Sequence, residues 1–254
     1  MIRQIEEFSL NAWPSLQTIT YDGWLIRFAN GYTKRANSVN PIYPSTEEVS
    51  NKIDFCETLF RDRNLAPVFK LTNAVSPEML DSDLEQRGYV AMDHTSVQVL
   101  SLSRISDPLM HAVKMSESLN EEWLKQICLL NNHNERSRNT MEQMFAVIVP
   151  RTCFLSLWDN GEAVACGLGV LERGYLGIFD VITDPRQRNR GFGGQLMLNL
   201  MKWGKENGAE CAYLQVMLNN APALRLYSKL GFTELYRYWY RIKTQVPVHV
   251  IGES

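Results

Sequence analysis

The spacing of apolar positions changes repeatedly along the second half of the chain, and each change falls at a turn residue. Leu119, Trp123, Ile127 and Leu130 recur at helical spacing, with Asn120 placed to cap the run and Glu121 and Glu122 in its first turn. A second helix is predicted over 141–149, stopped by Pro150. Three strand-like runs follow, 153–158, 163–171 and 176–183, ended by Asp159-Asn160-Gly161, Arg173-Gly174 and Asp184-Pro185. Residues 195–205 are amphipathic and close at Asn207-Gly208; 211–218 reads as a strand, 221–229 as a helix ending at Gly231, and 235–243 as a final aromatic strand. Antiparallel strands followed by strand, helix, strand, helix and strand predict an α+β fold with a mixed sheet.

The first half repeats this order more faintly. Residues 24–28 and 32–39 read as a hairpin-like pair, 46–61 as a helix opened by Ser45 with Glu47 and Glu48 at its positive end, 68–72 as a strand, 77–86 as a helix and 95–102 as a strand. The last helix of each half finishes in Gly-aromatic, Gly88-Tyr89 and Gly231-Phe232. The reading is a tandem duplication, residues 1–108 and 109–254, joined through 103–109 with its Asp107-Pro108.

Candidate chemistry concentrates in Asp184-Pro-Arg186-Gln-Arg188-Asn189-Arg190-Gly191-Phe192-Gly193-Gly194, between a predicted strand and a predicted helix. Glycines let a backbone approach a ligand closely, and the helix start offers unpaired N–H groups and a positive dipole end. Arginines suit phosphate oxygens. A P-loop would need Gly-Lys-Ser/Thr here, and a dinucleotide fingerprint a third glycine at position 196, where the chain has Leu. The pattern that fits is Arg-x-x-Gly-x-Gly, formed by Arg188, Gly191 and Gly193. Beyond it, Asn220-Ala-Pro-Ala223-Leu-Arg-Leu226-Tyr227-Ser-Lys229-Leu-Gly231-Phe232 follows after one helix and one strand.

Together these two segments resemble the acyl-CoA signature and the later motif of the GNAT superfamily of N-acetyltransferases, over residues 109–243. Asn189 departs from the family's frequent glycine, and Asn tolerates the left-handed angles such a turn needs. The resemblance implies a GNAT fold, a mixed and mostly antiparallel twisted sheet flanked by helices. It also implies acetyl-CoA as acyl donor, an amine acceptor, and no metal. The pantetheine arm would lie between the strands at 176–183 and 211–218, pairing with main chain at Val181, Ile182 and Thr183. Arg188, Asn189, Arg190, Gly191, Phe192, Gly193 and Gly194 would hold the pyrophosphate, with Asn220 and Ala223 along the arm. Asn220 also stands where a helix cap would.

Tyr227 matches the family's general acid, since a phenol can protonate a departing thiolate; the other role open to it is packing against the sheet. For the general base the candidates are Asp180 and Glu172, with Glu142 a weaker third. The implied acceptor pocket uses 131–136, in which His133 reads as a surface residue, and Tyr236, Tyr238, Trp239 and Tyr240.

Composition narrows the partners. The 254-residue chain is 45% hydrophobic and 21% charged with a net charge of −2, which describes a globular protein and argues against a nucleic-acid footprint. The longest apolar run, 144–149, is too short for a bilayer, and the acidic start lacks a secretory core; the expectation is a cytoplasmic protein away from membranes. Five dispersed cysteines read as reduced, mostly buried thiols, and no histidine stands at metal-ligand spacing. Monomer and homodimer both remain open. A CoA-binding regulatory module without turnover is the alternative to an enzyme.

The first half copies the order without the chemistry. Where a phosphate turn belongs it has Asn40-Pro-Ile-Tyr43-Pro-Ser45, and aligning Gly88 with Gly231 puts Leu84 opposite Tyr227. It is expected to bind no CoA and to shape the acceptor site, with Arg35, Asn37 and Ser38 as its contact surface.

Overall fold

The computed structural model describes residues 1–73 and 77–243. In chain order the first elements are α1 (Ile2–Ala12), β1 (Gln17–Tyr21), β2 (Trp24–Phe28), β3 (Val39–Pro41), α2 (Val49–Arg61), β4 (Val68–Thr72), α3 (Leu80–Gln86) and β5 (Val90–Ser101). Then come β6 (Val113–Ser116), α4 (Glu121–Asn131), α5 (Glu135–Ala146), β7 (Arg151–Asp159), β8 (Glu162–Glu172) and β9 (Tyr175–Thr183). The last are α6 (Phe192–Glu206), β10 (Cys211–Met217), α7 (Ala221–Leu230) and β11 (Thr233–Ile242). No helix among the described residues is long and apolar enough to cross a membrane.

Two compact units form. Unit 1 comprises Met1–Leu16 and Thr95–Arg237, unit 2 Gln17–His94 and Tyr238–Ser254. One bound falls between α1 and β1, and the other two fall inside β5 and β11.

Unit 1 holds strands in the order β6-β7-β8-β9-β10-β5, with β10 parallel to β9 and every other pair antiparallel. One face packs Leu155, Ala165, Leu176, Ile178 and Leu214 under Leu196, Leu200 and Trp203 of α6 and Tyr227 of α7. The other face is aromatic. Trp123 of α4 meets Phe154, and Trp13, just after α1, meets Phe145 and Phe179. Phe8 of α1 lies against Tyr175 and Tyr213. With Phe8 and Trp13 each 1% exposed, the two side chains contribute about 2–3 kcal/mol apiece.

Unit 2 has the order β1-β2-β3-β4-β11, with β3 parallel to β4. Its core joins Trp24, Ile26, Phe28, Phe69 and Leu71 to Ile53, Cys56 and Phe60 of α2 and Leu80 and Leu84 of α3. Each unit therefore contains a hairpin, a third antiparallel strand, a helix, a parallel strand and a helix. In each, the next strand comes from the other half of the sequence: β10 pairs with β5, and β4 with β11.

Several local expectations need correction. Residues 32–38 do not form a strand. The Asn37 side chain accepts from Ala29 N (2.7 Å) and Gly31 N (3.0 Å) and donates to Thr33 O (2.8 Å), coiling the loop around itself. Ser45 does not cap α2, which starts at Val49, because its hydroxyl donates to Asp22 (2.7 Å). The helix expected from 141 starts at Glu135, since Asn134 accepts from Ser137 N (2.9 Å), a cap worth about 1 kcal/mol. α1, β1 and β6 were not anticipated.

A chain beginning at Leu109 lacks both α1 and β5, leaving β10 without its antiparallel neighbour and the aromatic face uncovered. It is expected to show no cooperative thermal transition and to aggregate on gel filtration, where the full chain melts as a folded protein.

Candidate functional site

The site begins where two strands part. β9 and β10 are in parallel register from Tyr175↔Cys211 to Ile178↔Leu214 and no further. Beyond that point β9 pairs with β8 and β10 with β5, so a wedge-shaped gap opens toward the C-terminal ends of both strands. On that side β9 is in register with no strand beyond Ile178 among the described residues. Parallel strands that diverge at their C-terminal ends are a general ligand position.

A bulge helps to produce the divergence. The β8–β9 register shifts between Cys166 and Leu168, and Asp180 has φ +48. An inserted residue bends its strand and increases the local twist. Opposite the bulge, a Cβ on Gly167 would come within 3.1 Å of Leu196 and 3.2 Å of Leu200, so glycine lets α6 lie close over the sheet.

β9 runs into the Asp184–Gly194 turn. Asn189 and Gly191 both take left-handed angles (φ +63 and +84), as expected of Asn in the place of glycine. Gly191 is the N-cap of α6 and has no side-chain cap, so the first-turn N–H groups face outward. A Cβ on Gly193 would meet Thr183 Oγ1 at 3.2 Å and Leu226 Cδ2 at 3.3 Å, which draws β9, α6 and α7 together at the mouth of the gap. The three arginines differ in commitment. Arg186 is bound by buried Asp184 (2.7 Å), and Arg190 by Asp159 (3.2 Å) and Gln187. Arg188 is exposed and makes no ion pair among the described residues. A glycine turn of this kind, at a helix start beside a free guanidinium, can hold a pyrophosphate.

Tyr227 lies on α7, 8% exposed, with its ring 6.0 Å from that of Phe232 in an edge-on contact. Burial pushes its phenol up to about 12, so it is neutral and a proton donor over the whole physiological range. Asn220 is exposed and caps α7, its side chain accepting from Ala223 N at 3.2 Å. Pro222 in the first turn and left-handed Gly231 at the end fix the length of α7.

The proposed bases separate. Asp180 stands at the bulge, on the α4 side, where its carboxylate is one of the charges acting on Cys128. Glu172 is at the far end of the β8–β9 hairpin, opposite Tyr175, and accepts both Asn11 Nδ2 contacts (3.1 and 3.2 Å). At a strand rise near 3.3 Å per residue that end is about 16 Å from Asp180. Glu142 lines a cavity of about 520 Å³ between α4, α5 and β7, none of whose lining residues belongs to β9, β10 or α7. His133 lines a cavity of about 300 Å³ with Cys128 and Asn132. Of the aromatic strand, Tyr236 donates to the buried Glu6 carboxylate (2.5 Å), and Trp239 donates to Asp81 (2.7 Å) within unit 2. In unit 2, Asn37 and Ser38 are buried and Arg35 half-buried; Asn37 is engaged by the loop it organises.

Two contributors escaped the sequence reading. α1 lays Ser9 against Gln215 (2.9 Å), the first residue of β10 beyond the parting. Its Ile2, Ile5, Phe8 and Ala12 are helically spaced and could have revealed it. Gln98 of β5 sits beside Leu214 in register, with an amide oxygen buried and unbonded among the described residues. No sequence signal marked it. Among the described residues no group of three or more His, Cys, Asp or Glu could hold a metal ion.

The chain has relatives in sequence and in fold among known proteins. Residues 1–241 match the family model described as "Probable histone acetyltransferase Rv0428c C-terminal". The chain is 29% identical over 247 residues to "Uncharacterized N-acetyltransferase YobR" of Bacillus subtilis, covering 95% of this chain and 98% of that protein. It is 30% identical over 78 residues to the [Ribosomal protein bS18]-alanine N-acetyltransferase of Escherichia coli, covering 31% of this chain and 53% of that one. A GCN5-related N-acetyltransferase from Kribbella flavida superposes with a TM-score of 0.73 over 97% of this chain and 96% of its own, a likeness of fold at 14% identity. The chain belongs to the Rv0428c C-terminal family and is an N-acetyltransferase of the GNAT type.

Proposed function

We propose that the chain moves an acetyl group from acetyl-CoA to a primary amine of a small molecule or protein, by direct attack in a ternary complex. The observation that carries this reading is the parting of β9 and β10 after Ile178 and Leu214, with the glycine turn following β9 and Tyr227 on the helix that follows β10. The pantetheine amides would pair with main chain at Val181, Ile182 and Thr183. The pyrophosphate would rest on N–H groups between Asn189 and Gly194, with Arg188 free to neutralise charge. Asn220 and Ala223 would flank the arm.

In the reaction Asp180 takes a proton from the acceptor ammonium, directly or through water. The nitrogen lone pair then forms a bond to the thioester carbonyl, whose developing oxyanion is met by a main-chain N–H of the bulge. The C–S bond breaks, Tyr227 gives its proton to the departing sulfur, and the proton still carried by nitrogen restores the phenol. Direct attack is favoured over an acyl-enzyme by the state of the thiols. Burial holds Cys153 up to about 12 and Cys166 up to about 11, and raises Cys128 as well, so these three are not ready thiolates, and Cys211 lies opposite Tyr175, three residue pairs before the strands part. The half comprising 1–108 is read as a degenerate GNAT-like copy that takes no CoA of its own.

Titration calorimetry should give one acetyl-CoA site per chain. Gly191→Val should lower that affinity at least 100-fold, because a β-branched side chain is strained at φ +84 and brings bulk to the turn. Equal affinity in the variant would remove the phosphate turn from the site.

Tyr227→Phe should lower kcat by about 100-fold or more with unchanged acetyl-CoA affinity, as expected of a group acting on the leaving thiolate. With the phenol at about 12, protonated Tyr227 persists as pH rises, so kcat should show no descending limb from it below about pH 11. Asp180→Asn should lower kcat by about 100-fold with unchanged acetyl-CoA affinity, whereas Glu172→Gln should leave kcat within about twofold of wild type. Release of free CoA thiol from acetyl-CoA and a panel of amines is the decisive assay; binding without release would favour the regulatory alternative.

A further inference from the structure

Unit 2 contains a buried ammonium. The Lys52 side chain is fully buried, its Nζ 4.2 Å from the centre of the Trp24 ring. Its three protons are all engaged, by Asp22 Oδ2 (2.9 Å), Asp22 main-chain O (2.5 Å) and Ser45 Oγ. The same Asp22 carboxylate accepts from Ser45 Oγ (2.7 Å), Thr46 N (2.9 and 3.1 Å), Thr46 Oγ1 (2.9 Å) and Glu47 N (2.9 Å). Two main-chain N–H groups, two hydroxyls and a cation converging on one pair of oxygens form an oxyanion site.

Its position in the fold is informative. The donors lie between β3 and α2, as the glycine turn of unit 1 lies between β9 and α6; in both units the strand before the turn is paired antiparallel to a hairpin and parallel to the strand after the helix. Asp22 occupies the first position of the hairpin turn between β1 and β2. The corresponding turn of unit 1, between β7 and β8, has Asn160, neutral and exposed, with its amide donating to Asp159 (3.2 Å). Gly23 pins the unit 2 turn in place: at φ +82 its Cβ would lie 2.2 Å from Pro44 O.

We infer that the Ser45–Glu47 turn with Lys52 is an oxyanion site closed from within by the carboxylate of Asp22, at the place in unit 2 where unit 1 keeps its turn open. The ligand class the site would take without Asp22 is a tetrahedral oxyanion such as phosphate or sulfate. The inference rests on contacts within unit 2 and stands whether or not unit 1 proves to use acetyl-CoA. The N–H of Glu47, with Lys52 and Ser45, holds the Asp22 carboxyl far below the usual carboxylate range, as a permanently ionised plug would be.

The test uses the full chain with Asp22→Ala. Without phosphate its thermal midpoint should fall by roughly 10 °C, as expected on stripping the partner from a buried charge in a chain of this size. Inorganic phosphate at millimolar concentration should restore at least half of that loss saturably and bind at one site more than in wild type, counted by calorimetry. Wild type, and Asp22→Ala combined with Lys52→Met, should show no such recovery in the same salt, which separates binding from a general salt effect. If Asp22→Ala aggregates, refolding yield is the readout: a yield raised by phosphate over chloride supports the plug, and equal yields overturn it. A folded Asp22→Ala that keeps the wild-type midpoint, or gains no phosphate site, also overturns it.

Discussion

Unit 1 is organised around an interruption of pairing. Two parallel strands keep register for four residue pairs and then separate. Beyond that point β9 has strand pairing on its β8 side alone among the described residues, and the half-buried edge of 180–183 faces the gap. Three features sustain the parting. The Asp180 bulge bends β9, Gly167 lets α6 settle against the sheet, and Gly193 lets α6, α7 and the end of β9 meet closely. The start of α6 lies at the open end of the wedge, where its uncapped N–H groups can meet an anion. Tyr227 follows because α7 begins directly after β10, and Asn220 and Gly231 set both its ends.

How much of this could be read in advance depended on how local its cause was. The glycine turn and the Asn220–Phe232 segment were legible because each states its own geometry in adjacent residues: left-handed positions, a cap, a helix stop. The bulge was not. Nothing in Phe179-Asp180-Val181 marks an inserted residue, since the register shift exists only in the pairing with Cys166 and Leu168. That is also why Asp180 and Glu172 looked equivalent as strand carboxylates, although the hairpin carries them to opposite ends. Ser45 looked like a helix cap because serine before two glutamates usually is one. Here a charged partner 23 residues earlier took the hydroxyl instead. The short strands β1 and β6 and the helix α1 were lost for a weaker reason, their brevity or their mixed composition.

The pairing of closing strands explains why the match to a known family spans the chain. That match spans residues 1–241, taking in both halves of the sequence. β10 takes β5 as its neighbour and β4 takes β11, so each half of the sequence supplies the closing strand of the unit built on the other half. This exchange gives the two closing strands equivalent places in their units. It also makes the long-range pairings obligatory, which is the costly kind in folding. The sequence order of the halves and the contact order of the units then need not coincide, and here they do not.

The two helix-preceding turns give the same position opposite electrostatic solutions. Both follow the third strand of a hairpin-plus-one sheet, and both face a two-residue turn with left-handed angles, Asp22-Gly23 in one unit and Asn160-Gly161 in the other. In unit 1 a Cβ on Gly161 would touch nothing within 4 Å, Asn160 carries no charge, and the carboxylate of Asp159 before it meets the Arg190 side chain (3.2 Å). In unit 2 the glycine is pressed against Pro44 and the aspartate is driven into the donors. A site that collects N–H groups and a lysine must find an anion, since a buried ammonium without one is strongly destabilising. Supplying that anion from the chain closes the site in unit 2, whereas the carboxylates near the unit 1 turn, Asp159 and Asp184, are spent on the Arg190 and Arg186 side chains. The difference between the two helix-preceding turns thus comes down to which residue occupies a hairpin turn, and to whether that turn is packed against the loop it faces.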